Sequence, residues 1–131
     1  MVKADLFGLD DDKESPICGE VKVEANDPWY AAVECVKQVV LLRSDRQFFK
    51  VNVQREANKE IRGTGAWGLV IAPSKYWEQK REFNAAKRLA DFLRKETQIR
   101  ICYVSYPNLD SLRGDSLELK VEYYPQTIIK L

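Results

Sequence analysis

A chain of 131 residues, 45% apolar and 31% charged, has the size and composition of one folded domain spanning 1–131 and excludes wholesale disorder. No apolar run reaches the ~20 residues of a membrane span, and Met1 is followed at once by Lys3, Asp5 and further acids, so no membrane segment or signal peptide is expected. The net charge is only +1, but residues 1–27 carry eight acids and three bases while residues 28–100 carry fifteen bases and eight acids, a division suited to a cation site flanked by a surface for a polyanion.

In chain order, residues 2–9 read as a short strand and the polar run 10–16 as a connection, with Pro16 barring a continuous strand. Residues 17–24 alternate, with Ile17, Gly19, Val21 and Val23 on one face and Cys18, Glu20, Lys22 and Glu24 on the other. The two segments form a hairpin with a long turn. Asp27 and Pro28 then open a helix as N-cap and first helical residue. It should run to about Arg43 with Trp29, Ala32, Val33, Val36, Val39 and Val40 as its apolar stripe. Residues 48–54 alternate as another strand, and residues 55–66 read as a loop. The unbroken apolar run 67–72 is a strand covered on both faces. Pro73 and Ser74 start a long helix to about Glu96, with Trp77, Phe83, Ala86, Leu89, Ala90 and Leu93 inward. Residues 99–106 form a strand, 107–116 a turn-rich loop and 117–123 an edge strand. Strands alternating with helices imply an α/β fold with a central mixed sheet flanked by helices, in which the strands at 67–72 and 99–106 are parallel neighbours.

The chain has no histidine, which removes Ser-His and Cys-His hydrolases and histidine-based metal sites. Three widely spaced cysteines, Cys18, Cys35 and Cys102, each within an apolar stretch, fit buried reduced thiols of a cytoplasmic protein better than disulfides. Acid–base or metal chemistry must therefore rest on carboxylates, lysine, tyrosine or cysteine. Glu20 and Lys22, two apart on a strand, point to the same side of the sheet, and Asp5 on the neighbouring strand can reach the same place. Two carboxylates offer hard oxygen ligands to Mg²⁺ and leave its waters in place. An ammonium beside them can orient a water or meet developing phosphate charge.

The order Ala4-Asp5-Leu6-Phe7-Gly8-Leu9, an acidic turn, Gly19-Glu20-Val21-Lys22-Val23, then the helix opened by Asp27-Pro28, resembles the metal-binding core of the PD-(D/E)XK nuclease superfamily. In that superfamily an aspartate on one strand is followed, across a turn, by an acid-x-lysine on the next strand and then by a helix. The resemblance covers residues 2–43 and departs from the pattern at Ala4, where the motif has proline. It implies a restriction-endonuclease-like fold and a magnesium-dependent endonuclease acting on DNA, with Mg²⁺ or Mn²⁺ as cofactor. Asp5, Glu20 and the backbone carbonyl of Val21 would be metal ligands and Lys22 the catalytic lysine. Gln38 matches a glutamine used on the following helix by some branches, although Leu42 stands where a tyrosine accompanies it. The family core opens with a helix ahead of the aspartate strand, whereas this sequence opens on the strand. The resemblance then implies a truncated member, a homodimer or partner segment supplying that helix, or a vestigial site.

Glu-x-Lys alone is a weak signal, since it recurs at Glu78-Gln79-Lys80 in a helix and at Glu118-Leu119-Lys120 on the edge strand, with Asp110 and Asp115 upstream. Arg81, Lys87, Arg88, Arg94 and Lys95 could meet phosphates or simply face water. Trp29, Trp67 and Trp77 suit core anchors better than base-stacking platforms. Gly63-Thr64-Gly65 lacks the spacing of a phosphate loop, and Asp10-Asp11-Asp12 suits a solvated turn. The rival to a nuclease is a non-catalytic α/β module that binds protein or nucleic acid on a nuclease-like scaffold. A small-molecule site in the unit 67–106 is a third reading.

Overall fold

A computed structural model of the chain describes residues 5–9, 15–23, 27–44, 65–114 and 118–125. Five strands, β1 (Leu6–Leu9), β2 (Pro16–Val21), β3 (Ala66–Pro73), β4 (Ile99–Tyr106) and β5 (Lys120–Tyr123), form one mixed sheet in the order β1-β2-β3-β4-β5. The hairpin pair β1–β2 is antiparallel, β2–β3 and β3–β4 are parallel, and β5 closes the edge antiparallel to β4. Helix α1 (Pro28–Ser44) follows β2, and helix α2 (Lys80–Glu96) joins β3 to β4. The sheet grows in one direction from β2 to β3 to β4, so crossovers of one hand lay both helices on the same face. A single core there unites Cys18, Val70, Ile101 and Tyr103 of the sheet with Ala31, Ala32, Cys35, Val39 and Leu42 of α1 and Phe83, Ala86, Ala90 and Leu93 of α2. Ile71, Cys102, Val104 and Tyr106 form a smaller cluster on the other face.

Local chemistry accounts for the element ends. Asp27 Oδ1 accepts from Tyr30 N at 2.7 Å and the Asp27 carbonyl from Ala31 N at 3.1 Å, which makes Asp27 the cap of α1 as its sequence implies. Thr97 ends α2, its N–H and hydroxyl both donating to the Leu93 carbonyl, and its Oγ1 accepts from Ile99 N at 3.0 Å as the chain enters β4. Pro16 is the first residue of β2, a place that tolerates its missing N–H.

Several boundaries differ from the sequence reading. The strand expected over 17–24 ends at Val21, and the edge strand expected over 117–123 is confined to Lys120–Tyr123. A 3₁₀ turn, Leu109–Arg113, lies within the expected loop 107–116. The long helix expected from Ser74 is two pieces, a 3₁₀ turn Ser74–Glu78 and then α2, separated by Gln79 at φ −73°, ψ 79°. Side-chain anchoring explains the break. Tyr76 Oη donates to the Asp27 carbonyl at 2.7 Å and Trp77 Nε1 to the Val104 carbonyl at 3.1 Å, which ties the short turn to the start of α1 and to β4. Trp77 then packs against Phe83 and Tyr103 with ring centroids 4.9 and 5.3 Å away. The strand expected at 48–54, most of the loop 55–66, Asp10–Asp12, Glu24 and Asp115 lie outside the described residues.

The stripe of α1 is also rotated from its expected position. Ala31, Ala32, Cys35, Gln38, Val39 and Leu42 are buried, whereas Trp29, Val33 and Val40 are each 44% exposed, so Trp29 is not a core anchor. Because α1 carries large apolar residues on its exposed side as well as its buried one, hydrophobicity alone does not choose its inward face. Close packing does. A Cβ on Gly68 of β3 would lie 2.6 Å from Cys35 Sγ, 2.7 Å from Val39 Cγ2 and 2.8 Å from Ile101 Cδ1. The small residues of α1 settle over this gap in the sheet. Gly68→Ala is expected to destabilise the fold by about 1–3 kcal/mol through overpacking, seen as a lower urea midpoint at unchanged slope. Gly8→Ala, whose new Cβ would meet nothing within 4 Å, should leave the midpoint near wild type. Equal midpoints for the two variants would contradict the close approach of α1.

Candidate active site

Extending the β1–β2 register by one residue, from Leu6 opposite Gly19, sets Asp5 opposite Glu20 on the helix-covered face. The backbone fixes this end of the hairpin: Asp5 N donates to the Gly19 carbonyl at 3.0 Å, and Asp5 Oδ2 accepts from Val21 N at 2.8 Å. Glu20 lies one residue before the end of β2, between Asp5 on β1 and the inward face of α1. Like charges opposed across two strands repel. Glu20 is only 8% exposed, and its Oε1 is buried without a hydrogen-bond partner.

Lys22 follows directly beyond β2 and is held at three atoms. Its N–H donates to the Ile71 carbonyl at 2.8 Å, its carbonyl accepts from Tyr106 Oη at 2.8 Å, and its Nζ pairs with Glu34 Oε2 of α1 at 2.5 Å. Its side chain is 13% exposed, a burial an ammonium tolerates only when paired. The structure thus brings Asp5, Glu20 and Lys22 to one corner, as the alternation implies, and adds Glu34. Gln38 is buried on α1 one turn beyond Glu34. Glu34 was visible in the sequence as the lone acid of α1, but nothing in spacing ties it to Lys22. Tyr106, 84 residues away from Lys22 in sequence, carried no such signal at all.

Burial does most to raise the Glu20 carboxyl, the charge of Asp5 adds to it, Lys22 opposes, Glu34 adds again, and the result is a pKa of about 7. Among the described residues no three His, Cys, Asp or Glu side chains are grouped so as to hold a metal ion. Two opposed carboxylates do fit a hard cation that keeps most of its water, and the unpartnered Glu20 Oε1 is an acceptor still awaiting a positive partner. The cysteines are free and buried, as their settings imply. Burial and the charge of Glu20 push Cys18 up to about 12, and burial raises Cys35 and Cys102, so none is poised as a nucleophile.

The second Glu-x-Lys is dispersed, with Glu118 exposed ahead of β5 and Lys120 exposed on it. Trp67 and Trp77 are buried, as expected of core anchors. On α2, Arg81, Arg88 and Lys95 face solvent, whereas Lys87 Nζ sits 4.7 Å from the Phe83 ring centre. No helix among the described residues is long and apolar enough to cross a membrane.

A carboxyl raised to about 7 binds its proton more tightly folded than unfolded, so it costs stability above that pH and nothing below its ordinary value of 4.5. Glu20→Gln is therefore expected to be more stable than wild type at pH 8 by on the order of 1–3 kcal/mol. The difference should close as pH falls toward 5. Urea denaturation across this range reads it directly, and a gap that does not change with pH would contradict the assignment.

No family model matches the chain, and neither a curated protein nor a solved structure matches it.

Proposed function

We propose that the chain is a metal-dependent phosphodiesterase of the PD-(D/E)XK type, cleaving DNA in the cytoplasm, with a homodimer or a partner segment supplying the helix that opens the family core. The observation that carries this reading is the buried Glu20 side chain opposite Asp5, whose Oε1 has no hydrogen-bond partner, with the Lys22 ammonium at the same corner. The element order around it agrees: an antiparallel hairpin bearing the aspartate and the Glu-x-Lys, then a helix, then a parallel strand beside the second hairpin strand. Exposed Arg81, Arg88 and Lys95 are compatible with a polyanionic substrate.

Asp5, Glu20 and the backbone carbonyl of Val21 would hold Mg²⁺ or Mn²⁺. When bound, such an ion polarises a phosphodiester and lowers the pKa of its water. The residues themselves do the rest. Glu20 must lose its proton to bind, Asp5 keeps the hairpin end in register through Val21 N, and Lys22 offers ammonium hydrogens to a phosphate oxygen or to the attacking water. Gln38, buried on α1, would take the role of the helix glutamine that some branches of the superfamily use.

One observation favours a non-catalytic α/β interaction module instead. The Lys22 ammonium is engaged by Glu34 of α1. Calorimetric titration with Mn²⁺ at pH 8 separates the two readings. Wild type should bind, Glu20→Ala should not, and Lys22→Ala should keep the metal while losing most cleavage of DNA. Because the ion displaces the Glu20 proton, affinity should fall about tenfold per pH unit below about 7. Indistinguishable traces for wild type and Glu20→Ala would leave the module reading.

A further inference from the structure

Three carboxylates and one ammonium act on one another at this corner. Asp5 and Glu20 stand opposite each other on the hairpin, Glu34 comes from α1, and Glu20 lies within electrostatic reach of Asp5, Glu34 and the Lys22 ammonium. The lowest-energy place for a lone cation among acids is against the most buried of them, because attraction is strongest where water is least. That acid is Glu20. Yet the Lys22 ammonium lies instead on Glu34, the partner nearer to solvent, and Glu20 Oε1 is left with no hydrogen bond. The Lys22 backbone does not dictate this choice, since its N–H and carbonyl are tied to Ile71 and Tyr106 while its four-carbon stem remains rotatable. A helix that is otherwise without acid supplies a carboxylate at the one position that draws the ammonium aside.

We infer that Glu34 is a positioning residue that holds Lys22 away from Glu20 and so keeps the Asp5–Glu20 pair open to a divalent cation. This rests on the metal reading proposed above and adds to it a residue that touches neither metal nor substrate. Without Glu34 the ammonium collapses onto Glu20 and competes with the ion for the same oxygen. Lys22 would then serve as an internal inhibitor of its own site.

A double-mutant cycle on the intact protein distinguishes positioning from mere loss of a negative charge. Mn²⁺ affinity is measured by calorimetry at pH 8 for wild type, Glu34→Gln, Lys22→Met and the double variant. Positioning predicts that Glu34→Gln weakens Mn²⁺ binding about tenfold or more and that Lys22→Met in that background restores it to the level of Lys22→Met alone. If Lys22→Met changes affinity by the same factor in both backgrounds, Glu34 acts only as a distant charge and the inference fails. The same four proteins unfolded in urea without metal test the pairing separately. A coupling of about fivefold in the folding equilibrium supports it, and no coupling overturns it. Wild type that takes up no Mn²⁺ while retaining that coupling would refute the metal reading and leave Glu34 as the residue that positions Lys22.

Discussion

The seating of α1 on the sheet is the constraint on which the rest of the molecule depends. Gly68 leaves no room for even one carbon between β3 and the side chains of Cys35 and Val39. The helix can therefore sink onto β2 and β3 only with its small residues, Ala31, Ala32 and Cys35, turned inward. That one choice of face has two consequences. It covers Glu20 at the end of β2, and it carries Glu34 to within reach of Lys22. A helix rotated to bury Trp29, Val33 and Val40 would need a wider gap, and it would move Glu34 off Lys22.

Covering Glu20 creates tension that the fold does not resolve. An isolated buried carboxylate is costly. A second carboxylate opposite it makes the cost greater, and the Lys22 ammonium is bound to Glu34 instead. Folding stability alone would select an amide or an apolar residue at position 20, as the expected gain from Glu20→Gln at high pH expresses. Unresolved charge of this kind is concentrated where proteins bind ions or do chemistry. Cost without structural benefit supports the function proposed for this corner, more than the motif spelling does.

Much of this was legible in the sequence, and for identifiable reasons. Period-2 alternation over Ile17–Val21 placed Glu20 and Lys22 on one side, and the turn residues between the first two segments implied their antiparallel pairing with Asp5 nearby. The apolar run of β3 and the amphipathic pattern of α2 fixed the parallel pair β3–β4. Periodicity failed at α1, because a helix with large apolar residues on both sides has no distinguished face until the surface it meets is known. It failed again at Ser74–Glu78, where Tyr76 and Trp77 reach Asp27 and Val104 through hydrogen bonds that no local pattern records. The Lys22–Glu34 pair escaped for the same reason. It is set by how a helix lies across a sheet rather than by spacing along the chain.

The most direct test of this account is an NMR titration of the Glu20 side-chain carboxyl, with and without Mg²⁺. In metal-free protein the midpoint should lie at about 7, set by burial and by Asp5. Saturating Mg²⁺ should bring it down by about one unit or more, because the ion stabilises the ionised form. A metal-free midpoint at the ordinary carboxylate value of 4.5 would contradict the account. It would mean that Glu20 is neither strained by its setting nor waiting for a cation.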